Sequence, residues 1–155
     1  MAGMIEERLR ELGITLPEAA KPVANYVPAV LAGGLLVVSG QLPMRDGAVA
    51  FVGKLGRDVN PADAAVAAQL CFLNVLAQTR AALDGDLDRV ARGVRLGGFV
   101  SCVPEFTAMA AVMNGASDLA VAVFGDAGRH ARSTIGVPAL PGDATVEVEA
   151  TFAVR

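Results

Sequence analysis

At 155 residues the chain has the length of one domain, with no linker, internal repeat or low-complexity segment. It is 54% hydrophobic but only 5% aromatic, with a mean hydropathy of +0.49. The core is therefore aliphatic, and such a small domain has more oily surface than it can bury alone, for which oligomerisation is the simplest outlet. A net charge of −3 argues against a general nucleic-acid binder, and no apolar run approaches the ~20 residues of a membrane span.

In chain order, residues 1–12 are charged and lack the oily core of a signal peptide; within them 5–12 reads as a short amphipathic helix ended by Gly13. Residues 14–25 form a loop, and 1–21 together an N-terminal extension. Strands are expected at 26–32 and 35–39, joined at Gly33-Gly34, because glycine accepts positive φ. A short strand follows at 48–52, after the Arg45-Asp46-Gly47 turn. Asn60 caps and Pro61 opens a long helix to about Leu83, with Val66, Leu70, Leu73 and Ala77 at helical spacing. Residues 90–103 read as a long strand bent or bulged at Gly97-Gly98. A second helix runs over 105–124 and ends at Gly125. Cys71 and Cys102 have no metal-like spacing and read as buried free thiols of a reducing cytoplasm.

Two strands joined by a Pro/Gly turn complete the chain. In the first, Arg132, Thr134 and Gly136 share a face. In the second, Ala144, Val146, Val148, Ala150 and Phe152 form an apolar face opposite Thr145, Glu147, Glu149 and Thr151. Pairing these strands with apolar faces inward places an arginine and carboxylates on one outer surface, an arrangement suited to a small carboxylic acid beside an acid/base group. The order β-β-β-α-β-α-β-β is an α+β fold with helices packed on one face of a sheet.

Ala131-Arg132-Ser133, Leu140-Pro141 and Val146-Glu147-Val148-Glu149-Ala150 resemble the C-terminal signature of the Rid (YjgF) family of reactive-intermediate deaminases. Ser39-Gly40-Gln41, Gln69, Asn74, Asn114 and Tyr26 match other family positions in the right order, so the resemblance covers about residues 22–154. It implies a chorismate-mutase-like fold, a homotrimer with a site in each cleft between subunits, and hydrolysis of 2-imino acids or enamines to 2-keto acids without a cofactor. It assigns Arg132 to the substrate carboxylate, whose two oxygens suit a planar guanidinium. Glu147 becomes the group that holds and activates water, and Tyr26 a ligand contact at the cleft mouth; Ser39 offers a backbone or hydroxyl contact. Thr134 stands where the better-known deaminases carry cysteine; its hydroxyl can position water but lacks a thiol's acidity.

Each of these residues also has a structural reading. Arg132 can pair with Glu147 or Glu149, and the two glutamates can be solvated charges on an outer strand face. Tyr26 can be a half-buried amphipathic residue, Ser39 a strand-end turn residue, and Asn114 a helix or subunit contact. His130, the lone histidine, has no companion at metal-ligand spacing, so no metal is expected. Three functions follow: an imine deaminase, a small-carboxylate-binding or regulatory module without turnover, and an endoribonuclease. The last fits poorly with the acidic balance and scarce aromatics.

Overall fold

Asn60 and Pro61 start the longest element as the sequence requires. The Asn60 side chain accepts from the Asp63 N–H at 2.9 Å, and Pro61 takes the first helical position, where no N–H is needed. The computed structural model describes residues 3–22 and 24–155. Its helices are α1 (Met4–Glu11), α2 (Pro61–Ala82) and α3 (Met109–Phe124). Its strands are β1 (Ala29–Ala32), β2 (Leu35–Gln41), β3 (Met44–Arg45), β4 (Ala48–Val49), β5 (Val90–Ser101), β6 (Ala131–Val137) and β7 (Val146–Val154). The architecture is α+β: a five-stranded sheet in the order β1-β2-β7-β5-β6, with α2 and α3 packed on one face.

α2 is buried almost all round, which blurs its apolar period. Ala64, Ala67, Ala68, Cys71, Phe72 and Val75 are fully enclosed, while Val66, placed in the stripe by spacing, is 45% exposed. The alanines let α3 approach closely: a Cβ at Gly115 would collide with the Ala65 backbone. Burying a side chain such as Phe72 contributes about 2–3 kcal/mol.

Several boundaries differ from the sequence reading. β1 begins at Ala29, not 26, because Pro28 has no N–H to donate to a ladder. Gly33 and Gly34 make the expected hairpin, both at positive φ. The strand expected at 48–52 is only Ala48–Val49 and lies outside the main sheet, closing a small hairpin on β3. Asp46 (φ 52) and Gly47 (φ 78) supply that hairpin's two-residue turn. α3 begins at Met109; 105–108 is not helical.

Gly97 and Gly98 are not the bulge of β5, whose register shifts instead at Val90/Arg92 and Gly93/Arg95. They are glycines for want of space: a Cβ on Gly98 would lie 2.6 Å from the Met113 sulfur, and one on Gly97 equally close to Glu149.

The C-terminal strands depart most. β6 and β7 do not pair with each other; β5 lies between them, parallel to β6 and antiparallel to β7. The parallel pairing depends on α3 as crossover. Cross-strand register then fixes the faces. Arg132 shares a row with Leu96, Ala150 and Val38, on the helix-covered side. Glu147 shares a row with Phe99 and Ile135, on the open side. The single outer surface expected for Arg132 and Glu147 does not exist within one chain.

That open face carries exposed apolar residues. Val30, Leu35, Val37 and Ile135 are each 41–51% exposed there.

Candidate functional site

The predicted residues fall into two groups on different parts of the sheet. The first is built on β6 and α3. From β6, the Arg132 side chain runs along the outer edge of α3. Its Nη1 donates to Asn114 Oδ1 at 2.9 Å and to Ser117 Oγ at 3.0 Å. Its Nη2 donates to the Ala110 carbonyl at 3.2 Å. Ala110, Asn114 and Ser117 stand one helical turn apart, so one face of α3 supplies all three acceptors. Of five guanidinium N–H donors, Nε–H and one Nη2–H have no partner among the described residues. No carboxylate lies within 4.0 Å of Arg132 among those residues either. The ion pair with Glu147 or Glu149 is therefore not formed; Glu149 pairs with Arg95 at 3.1 Å. A fixed guanidinium with two donors to spare has the chemistry to take a carboxylate.

The second group is built on β2, β7 and the segment before β1. Ser39-Gly40 is a β-bulge in the β2–β7 ladder, which shifts register between Val38 and Gln41. Bulging brings Gly40 against Glu147: a Cβ there would fall onto the Glu147 carboxylate. Gly40, the middle residue of the Ser39-Gly40-Gln41 match, is thus a glycine for want of space beside Glu147. The Gln41 amide holds the bulge by donating to the Ser39 carbonyl at 3.1 Å. Tyr26, 53% exposed, joins Ser39, Gly40 and Gln41 around a small cleft of about 160 Å³.

Glu147 is half-buried and has no hydrogen bond or ion pair among the described residues. Its carboxyl is pushed above the ordinary glutamate range, first by burial and then by the nearby Glu149 charge. A carboxylate so placed holds a proton more readily than a solvated one, a property useful for passing protons to and from water.

The Thr134 hydroxyl lies on the same side of β6 as Arg132 but is buried, with no hydrogen-bond partner among the described residues. It faces the helix layer, not solvent. Gly136, next along that side, lines a cavity of about 560 Å³ with Cys102, Phe106, Met109 and Lys54. Lys54 Nζ donates there to Ser101 Oγ at 3.2 Å and to the Pro138 carbonyl. Cys102 is half-buried, not enclosed as expected, whereas Cys71 is fully enclosed; both are free thiols. Asn74 is a structural clamp, donating to the carbonyls of Leu42, Met44 and Leu70 at 3.0–3.4 Å. Gln69 is exposed on α2. Among the described residues no group of three or more His, Cys, Asp or Glu is arranged to hold a metal ion. No helix of the described chain is long and apolar enough to cross a membrane.

Within one chain the two groups cannot meet around a small ligand. Arg132 on β6 and Glu147 on β7 are two strand spacings apart, roughly 10 Å, and on opposite faces; Ser39 on β2 is one spacing farther.

Residues 6–153 match the family described as "YjgF/chorismate mutase-like, putative endoribonuclease". The Trypanosoma cruzi protein TCP17 is 49% identical over 150 residues, which are 96% of this chain and 93% of that protein. Among solved structures, Atu1372 of Agrobacterium tumefaciens, a protein of unknown function, is 51% identical, with a TM-score of 0.90 over 97% of this chain and 93% of its own. The E. coli YjgF gene product is 28% identical, with a TM-score of 0.64 over 89% and 94% of the two chains. E. coli TdcF, solved with bound serine, shares the fold at 23% identity and a TM-score of 0.63, over 89% of this chain and 94% of its own. The sheet order, the helix layer on one face and the match over nearly the whole chain agree, and this protein belongs to the YjgF/chorismate-mutase-like family.

Proposed function

We propose that this protein hydrolyses reactive 2-imino acids and their enamine tautomers to 2-keto acids, releasing ammonia, in clefts between the subunits of a cytoplasmic homotrimer. The observation that carries the reading is the Arg132 guanidinium, held by three acceptors on α3 with two donors left for a carboxylate. The placement of the second group supports a site shared between chains. Arg132 lies on one edge strand, and Tyr26 and Ser39 lie towards the other. A head-to-tail ring brings these edges together, and three-fold closure is the simplest such ring for this family.

In that cleft Arg132 binds the substrate carboxylate and fixes the imine carbon. Glu147 of the neighbouring chain takes a proton from water as its oxygen bonds to that carbon. The same proton passes to the nitrogen to give the carbinolamine; Glu147 then takes the adduct's hydroxyl proton and hands it to that nitrogen as the C–N bond breaks, leaving the keto group and ammonia. Water and imine thus supply every atom of the products. The substrate is already electrophilic, so positioning and proton transfer suffice. Tyr26 and Ser39 close the cleft mouth.

A binding module without turnover is the second reading, favoured by Thr134. The hydroxyl that replaces the usual thiol is buried under the helix layer, on the face of the sheet opposite Glu147. Ammonia release from imino acids generated in the assay by an amino-acid oxidase separates the two. Release above the spontaneous rate, cut ~10²–10⁴-fold by Glu147→Gln, supports the enzyme. No release together with 2-keto acid binding through Arg132 leaves the binding module.

A further inference from the structure

The geometry points to Ser117 and His130 as positioning residues for the Arg132 clamp, an inference that rests on the carboxylate-binding reading of Arg132. Neither residue stood out in the sequence as part of a site. Ser117 has an ordinary helix position, and His130 lies two residues before Arg132 with no metal-binding companion.

The chain of contacts has a fixed direction. Arg132 Nη1 is a donor only, so Ser117 Oγ accepts from it at 3.0 Å. The Gly128 carbonyl is an acceptor only, so His130 Nδ1, 2.6 Å away, carries a proton. Ser117 Oγ and His130 Nε2 are 2.9 Å apart. The one assignment that satisfies every group has the Ser117 hydroxyl donating to an unprotonated Nε2. The ring is then neutral, in its Nδ1–H form. Ser117 is thereby locked as an acceptor facing Arg132, and its lone pair is held in place by a histidine anchored to the backbone. With Asn114 Oδ1 it occupies both Nη1 hydrogens, which leaves Nε–H and the remaining Nη2–H as the donors for a ligand. The cleft beside Arg132, about 300 Å³, is lined by Ser117, Asp118, Val121, Arg129, His130 and Arg132 itself. Arg129 is engaged by Asp126 at 3.3 Å, and Asp118 makes no ion pair with Arg132. The clamp's orientation therefore comes from neutral hydrogen bonds, not from a competing carboxylate that substrate would have to displace.

Calorimetric titration of the assembled protein with 2-ketobutyrate tests this. Ser117→Ala and His130→Leu should each weaken binding roughly three- to tenfold, because a mobile guanidinium must be ordered by the ligand. Ser117→Thr keeps the hydroxyl, and His130→Gln places an amide oxygen where Nε2 accepts; both should stay within about twofold of wild type. This rescue pattern is not expected of a merely structural serine or histidine. Nitrogen-15 NMR of the imidazole should show a neutral Nδ1–H ring. Loss of binding in Arg132→Ala with wild-type affinity in both Ser117→Ala and His130→Leu would overturn the positioning role and leave the clamp intact. A wild-type protein that does not bind 2-ketobutyrate, pyruvate or longer 2-keto acids would overturn the clamp reading, and the positioning role with it.

Discussion

The Thr134 hydroxyl is buried with no partner among the described residues, and such a group forfeits its water bond without replacing it. Thr134→Val keeps the shape and removes that cost. We expect a stabilisation of up to about 1 kcal/mol, read as a melting temperature raised by roughly 2–4 °C. A variant less stable than wild type would mean that the hydroxyl has a partner after all. Glu147 gives a second, pH-dependent expectation. Its carboxyl is raised above the ordinary value of 4.5 by burial and by Glu149, so the folded protein holds this proton more tightly than the unfolded chain. Stability from that proton is full below pH 4.5 and is lost as pH rises through the folded-state value. Glu147→Gln should therefore be more stable than wild type at pH 7, with the gain vanishing toward pH 4. A gain independent of pH would show that burial of the charge is not its origin.

Among the elements, those set by local chemistry were readable in advance. Asn60-Pro61 announces a helix start by side-chain capping and ring geometry, and Gly33-Gly34 announces a hairpin, because both signals act within four residues. Asn60→Ala should cost about 1 kcal/mol in chemical denaturation; a change under a few tenths would mean that the N-terminus of α2 is held by packing alone. The pairing of β6 and β7 was not readable. Alternation tells which side chains of a strand share a face, but not which strand lies alongside. Here the insertion of β5 between β6 and β7 moved Arg132 to the helix side and left Glu147 on the open side. Arg132 and Glu147 were thus legible as residues but not as neighbours. The parts played by Gly40, Ser117 and His130 were not legible for the same reason: Gly40 meets Glu147, Ser117 meets Arg132 and His130 meets Ser117 across 13–107 positions of sequence.

At the scale of the whole molecule the uncovered sheet face matters most. Val30, Leu35, Val37 and Ile135 form an exposed apolar patch of the kind that a subunit contact covers. Sedimentation should find a trimer at micromolar concentration. Val37→Lys, which puts a charge in the middle of that face, should shift the protein toward monomer and abolish ammonia release together. A monomer that kept full activity would contradict a shared site.

The separation of Arg132 from Glu147 also has a genetic consequence. If each working cleft takes its arginine from one chain and its glutamate from the next, damage to the two residues is not equivalent within an assembly. Chains carrying Arg132→Ala and chains carrying Glu147→Gln, each inert alone, would rescue one another when co-expressed. In a random equal mixture about one cleft in four would receive an intact arginine and an intact glutamate, so the mixture should regain roughly a quarter of wild-type turnover. Such complementation has no route if both residues serve a site within one chain. It would make partial loss-of-function alleles of this gene interact in ways their separate phenotypes do not foretell.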